Sequence, residues 1–146
     1  MVVDDDPGTV LILAHHLQHE GFTAVKASSG TECLSIVQDR NIDLILLDLM
    51  MPEMDGFAVC LALKGNSKTA EIPIIMITAR DDLEARTEAK RLGVNDFLAK
   101  PIFRRQLVNH TRALLHMGAT GRLTEATLNQ SRPQADGEKK PTAKPL

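Results

Sequence analysis

The chain has 146 residues, 43% hydrophobic and 25% charged, with a net charge of −2. That composition suits one globular domain with a short tail and excludes a collagenous or wholly disordered chain. The small negative charge argues against a nucleic-acid surface over the whole molecule, and no apolar run reaches membrane-spanning length.

Met1-Val2-Val3 is a short apolar run that ends in Asp4-Asp5-Asp6. Pro7 suits the first turn of a helix capped by Asp6 and running to about Glu20. Its inward face would be Val10, Leu13, Ala14 and Leu17, and Gly21 would stop it. Phe22 to Ala27 reads as a second strand. Ser29-Gly30-Thr31-Glu32 has the capping-box pattern and opens a helix with Cys33, Leu34, Ile36 and Val37 turned inward. Leu44 to Leu47 has the character of a strand buried on both faces, and it stops at a single carboxylate, Asp48. A loop through Pro52 reaches Asp55, the cap of a helix from Gly56 to Lys64 that Gly65 closes.

Pro73 to Ile77 is a fourth buried strand ending at Thr78-Ala79. Asp81 or Asp82 caps a helix with Ala85, Ala89 and Leu92 facing in and Gly93 ending it. Asp96 to Ala99 is the fifth strand, ended by Lys100-Pro101. The last helix spans roughly Phe103 to His116, with Leu107, Thr111 and Leu114 inward. Strand and helix alternate five times, which makes an α/β fold: a parallel sheet with helices on both faces. Residues 1–116 form this domain, with 12 Lys and Arg against 16 Asp and Glu. Residues 117–146 are a basic tail, 5 against 3, partly helical at most between Thr120 and Asn129 and disordered beyond Arg132. The tail reads as an interdomain linker or a short regulatory extension.

In a parallel sheet all strand carboxyl ends lie on one edge, where ligands bind. Asp4 and Asp5 after strand one, Asp48 after strand three, Thr78 after strand four and Lys100 after strand five should therefore meet there. Like charges about 4 Å apart repel by roughly 4 kcal/mol at an effective dielectric near 20. Either one acid stays protonated or a divalent cation compensates. Magnesium prefers oxygen ligands and commonly takes one or two carboxylates plus a phosphate. A carboxylate can also attack phosphorus. In that chemistry Asp5 would hold the metal, Lys100 would neutralise a phosphoryl oxygen, and the Thr78 hydroxyl would donate to another.

Val-Val-Asp-Asp-Asp-Pro, Leu-Ile-Leu-Leu-Asp-Leu-Met-Met-Pro-Glu-Met-Asp-Gly, Ile-Met-Ile-Thr-Ala-Arg and Phe-Leu-Ala-Lys-Pro together resemble the response regulator receiver domain of two-component signalling. The resemblance covers residues 1 to about 116 and implies a doubly wound, flavodoxin-like strand order, 2-1-3-4-5. It implies Asp48 as phosphoacceptor and Mg2+ held by Asp5, Asp48, the Met50 carbonyl and, partly through water, Asp4. Thr78, the Ala79 amide and Lys100 would bind the phosphoryl group. Thr78 and Phe97 would be the switch that turns phosphorylation into a surface change. The implied partner is a histidine kinase or histidine phosphotransfer protein, with the downstream target unknown. Direct nucleic-acid or membrane binding by this chain is not implied, nor is steady enzymatic turnover. A homodimer through the 82–116 face is possible on the same resemblance, although its mixed charge also suits a solvated surface.

Two departures carry expectations. The family has more apolar residues before the acidic pair than Met1-Val2-Val3, so strand one should be marginally stable and native residues upstream should raise the melting temperature. Met50 and Arg80 stand where the family tunes hydrolysis, and neither orients water well, so the phosphoryl group should be long-lived. His15, His16 and His19 cluster on the first helix without a third metal ligand nearby. They fit a partner-docking face better than a zinc site, and none is the phosphodonor. Cys33 and Cys60 lack ligand spacing and read as core residues of a reducing, cytoplasmic compartment. Two other functions compete: an unphosphorylated interaction module on the same fold, and an aspartate phosphatase. The first would not need Asp48, Asp5, Thr78 and Lys100 together, and the second usually has an acid where Met50 stands. A flavin site is disfavoured, because there is no Ser/Thr/Gly-rich phosphate loop and no Tyr or Trp.

Overall fold

A computed structural model describes residues 1–117. Five parallel strands, β1 (Val2–Val3), β2 (Lys26–Ala27), β3 (Ile45–Leu47), β4 (Ile74–Thr78) and β5 (Asp96–Ala99), form one sheet in the order β2-β1-β3-β4-β5. Five helices connect and follow them: α1 (Pro7–His19), α2 (Gly30–Asp39), α3 (Gly56–Lys64), α4 (Leu83–Arg91) and α5 (Arg104–Met117). The parallel sheet expected from the alternation is observed, in the doubly wound order that the family resemblance implies. The expectations for the tail beyond Met117 lie outside the described residues.

Strand alternation divides the core into two layers. Val2, Leu46, Ile75, Ile77 and Leu98 pack with Val10, Leu13, Leu17 and Leu107 of α1 and α5. Val3, Ile45, Leu47, Ile74 and Met76 pack with Cys33, Val37, Val59, Cys60, Ala85 and Ala89 of α2, α3 and α4. Both thiols are fully buried in that second layer, and burial pushes each up to about 12, so both are inert core groups.

The helix starts follow local chemistry. Asp6, Ser29, Asp55 and Asp82 each accept a backbone N–H of the first turn they cap. One cap differs from expectation. The Glu32 carboxylate does not return to the Ser29 amide but accepts from the Ser28 amide and hydroxyl, at 2.6 and 2.9 Å, so the capping box closes one residue early. Strand two also needs correction: only Lys26–Ala27 of the expected Phe22–Ala27 pairs. β2 is an edge strand whose one neighbour, β1, is two residues long, and the register ends with Val2 opposite Lys26 and Val3 opposite Ala27.

The shortness of β1 has an electrostatic side. The Met1 ammonium donates to the Leu44 carbonyl at 2.7 Å, and burial pulls its pKa from 8.0 to about 6. A base with a lowered folded pKa weakens the fold while it is charged, fully below the folded value and not at all above the unfolded one. A chain starting at Met1 should gain about 2 to 3 kcal/mol between pH 6 and pH 8 from this group, at 1.36 kcal/mol per unit. Residues added ahead of Met1 replace the charge by an amide and should raise the melting temperature and flatten that rise. An unchanged melting temperature would contradict the expectation.

On α5, Thr111 is 3% exposed and its hydroxyl oxygen has no hydrogen-bond partner among the described residues. An orphaned hydroxyl costs more than an isosteric methyl. Thr111→Val should therefore stabilise the domain by about 1 kcal/mol, read by urea denaturation; a lower midpoint would show that the hydroxyl is satisfied in solution.

Candidate functional site

Three strand ends bring the acidic and basic groups together. Asp4 follows β1 and Asp48 follows β3, and the Asp48 amide donates to the Val3 carbonyl at 3.0 Å, fixing the two ends side by side. Asp4 and Asp48 are buried, while Asp5 faces solvent. Asp4, Asp5 and Asp48 each offer a carboxylate oxygen, and these oxygens lie within 4.8 Å of one another. Lys100, after β5, reaches back to this cluster: its Nζ is 2.8 Å from Asp4 Oδ2 and 3.5 Å from Asp48 Oδ2.

Electrostatics follow from this crowding. Burial raises the Asp48 pKa above the usual carboxylate range, and the neighbouring Asp4 charge adds to that. Lys100 and the Met50 amide, 3.4 Å from Asp48 Oδ1, oppose it. For Lys100, burial pulls downward, but the hydrogen bond to Asp4 and the charges of Asp48 and Asp4 outweigh it, so its pKa is raised and it stays cationic. One ammonium thus serves two buried carboxylates with a third acid beside them. The donor set is all oxygen and net negative, which fits a hard divalent cation.

The loop between Asp48 and Asp55 turns tightly. The Gly56 amide donates to the Leu49 carbonyl at 2.8 Å, and the Met54 amide donates to the Pro52 carbonyl at 2.8 Å around Glu53, whose φ is 70°. A positive φ at a glutamate had no signal in the sequence. Met50 is 59% exposed on this loop, while Met51 is buried. Thr78 is wholly buried at the end of β4, and its hydroxyl accepts from the Arg80 amide at 3.1 Å. The Arg80 guanidinium turns to Asp82 and Glu84, at 2.9 and 3.3 Å. Phe97 is half-buried in β5. His15, His16 and His19 share one side of α1, with the His15 and His19 rings 6.3 Å apart. Among the described residues the possible three-ligand metal group is the acidic one, not the histidines.

Fold and site together define a doubly wound α/β protein with an acidic, lysine-capped cleft at the carboxyl edge of its sheet. The chain belongs to the response regulator receiver domain family, whose model matches residues 1–112. It is 37% identical over 136 residues to the heme response regulator HssR of Staphylococcus aureus, a match over 90% of this chain and 59% of the relative. The chain thus spans less than two thirds of that relative, and the match runs past residue 112. Among solved structures it resembles the chemotaxis protein CheY4 of Vibrio cholerae, with a TM-score of 0.74 and 30% identity over 77% of this chain and 94% of that one. The receiver domain of a histidine kinase from Syntrophus aciditrophicus gives a TM-score of 0.73 and 33% identity, covering 78% and 86%.

Proposed function

We propose that Asp48 takes a phosphoryl group from a phosphohistidine of a partner kinase or phosphotransfer protein. The observation that carries this reading is the meeting of three carboxylates within 4.8 Å, with Lys100 Nζ 2.8 Å from Asp4 and 3.5 Å from Asp48. An Asp48 oxygen attacks phosphorus, the P–N bond to the donor imidazole breaks, and the ring keeps the electron pair. Asp5, Asp4, Asp48 and the Met50 carbonyl would hold Mg2+, which would offset charge on the phosphoryl oxygens. Lys100 neutralises one oxygen of the group, the Thr78 hydroxyl turns from the Arg80 amide to donate to another, and the Ala79 amide takes part beside it. Thr78 and Phe97 then carry the change to the surface. The chain is a signalling protein without steady turnover, and cytoplasmic work suits its kinase partnership.

For docking, Thr9, Ile12, Leu13, Pro101 and Ile102 line a groove of about 480 Å³ that ends at Lys100. With exposed Ile12 and Phe103 it offers an apolar shelf beside the site to a partner helix, next to the α1 histidines. The 82–116 face could pair two copies once phosphorylated. The match of HssR beyond residue 112 supports reading 117–146 as a link toward a further module.

Incubation with a small acyl phosphate and magnesium, followed by peptide mapping of the intact-mass increase, should place one phosphoryl group on Asp48. A protein that stays unmodified, or carries the group elsewhere, overturns the reading. The modified protein should lose the group slowly, because exposed Met50 and tethered Arg80 put neither acid nor amide where attacking water would stand. Loss within seconds without a phosphatase would contradict that.

A further inference from the structure

The β4–β5 register sets Met76 opposite Phe97 and Thr78 opposite Ala99, so Thr78 and Phe97 leave the same face of the sheet as diagonal neighbours. One side of the Phe97 ring packs on the layer that holds Met76, Ala85 and Ala89. The other is covered by a cation: Arg86 of α4 lies with its guanidinium carbon 4.6 Å from the ring centroid. That guanidinium is itself ion-paired to Asp81, three residues after Thr78 in the loop from β4 to α4. Its second carboxylate neighbour, Asp96, precedes Phe97 and is paired to His110 of α5. The ring is therefore held between an apolar layer and an arginine anchored to the segment that Thr78 begins.

We infer that Arg86, anchored by Asp81, is a latch that holds Phe97 in its half-buried position and sets how readily the domain adopts its phosphorylated form. This rests on the phosphoacceptor reading for its trigger but not for its geometry. When Thr78 moves toward the phosphoryl group, the loop carrying Asp81 moves with it, Arg86 loses its anchor and the ring is released. A contact present in one state and absent in the other biases the equilibrium between them, and coupling to ligand binding is reciprocal. An exposed cation–π contact changes such an equilibrium by roughly two- to fivefold.

The test uses the full chain carrying fluorophenylalanine, with the Phe97 signal assigned by substitution, and measures affinity for beryllium fluoride with magnesium as a non-covalent phosphoryl mimic. Arg86→Ala should move the unliganded Phe97 signal toward its mimic-bound position and tighten mimic binding by roughly two- to fivefold. Asp81→Asn should move both in the same direction by less, and Arg86→Lys should fall between Arg86→Ala and the parent. If Arg86→Ala does not fold, the other two variants carry the comparison. A lower melting temperature with the ring signal and mimic affinity unchanged would mean a purely structural arginine and would overturn the latch. Failure of the parent to bind the mimic strikes the phosphoacceptor reading instead. The unliganded ring signal then judges the latch alone, supporting it if displaced most in Arg86→Ala and less in Arg86→Lys and Asp81→Asn, and overturning it if unmoved.

Discussion

Asp48→Asn is expected to abolish phosphoryl uptake from an acyl phosphate and, at the same time, to make the domain more stable. The carboxamide has no anionic oxygen to attack phosphorus, so the loss should be complete rather than graded. Stability moves the other way because Asp48 is ionised at a cost. It is buried, and its pKa is raised first by that burial and then by Asp4. An acid whose folded pKa exceeds its unfolded value weakens the fold once ionised; the penalty is absent below the unfolded value and complete above the folded one. A neutral isostere removes the penalty, while Lys100 keeps its closer partner, Asp4, at 2.8 Å. The gain should be about 1 kcal/mol near neutral pH, or ~4 °C in melting temperature, and should shrink as Asp48 becomes protonated in acid. Thermal melts at neutral and acidic pH, beside intact mass after acyl phosphate treatment, read both halves. Phosphoryl uptake at the parent's site by the variant, or a lower melting point at neutral pH, would refute the assignment.

Features set by neighbouring residues or by strand order were legible in the sequence, and those set by distant pairs were not. Capping and periodicity are local, so Asp6, Asp55 and the Asp81-Asp82 pair, of which Asp82 is the cap, announced their helices, and Val10, Leu13, Ala14 and Leu17 announced a buried face that the fold contains. The acidic cluster was legible for a topological reason: parallel strands put all their carboxyl ends on one edge, so position in the chain implied proximity in space. β2 was overextended because the Phe22 amide turns back to the Leu17 carbonyl of α1, and the ladder with the two-residue β1 starts only where the Val25 carbonyl accepts from the Val2 amide. The clamp of Arg104 and Arg112 on Glu20, which ties α5 to the end of α1, joins residues more than eighty positions apart and has no local signature. Arg86 over Phe97 is invisible for the same reason. Its exposed helical position looks like a solvated charge until the register of β5 brings an aromatic ring beneath it.

The largest destabilisation should come from Gly56→Ala, although an alanine at the start of a helix would ordinarily help. A Cβ on Gly56 would stand 2.6 Å from the Asp48 carbonyl oxygen and 2.8 Å from the Leu49 Cα. Both are backbone atoms, so no side-chain rotation relieves the clash. The Gly56 amide also donates to the Leu49 carbonyl at 2.8 Å, which draws the start of α3 onto the peptide that follows the phosphoacceptor. Overpacking at such a point costs about 1 to 3 kcal/mol. Relief can come only from widening the Asp48–Gly56 loop, and that displaces Asp48 from Lys100 and the other acids. A misplacement of about 1 Å can slow a positioned reaction by roughly a hundredfold. Chemical denaturation should therefore show a loss of at least 1 kcal/mol, and the folded fraction should take up phosphoryl groups far more slowly than the parent. Wild-type stability with a wild-type uptake rate would mean that the loop yields without moving the carboxylate, and the close approach at Gly56 would then carry no positional role.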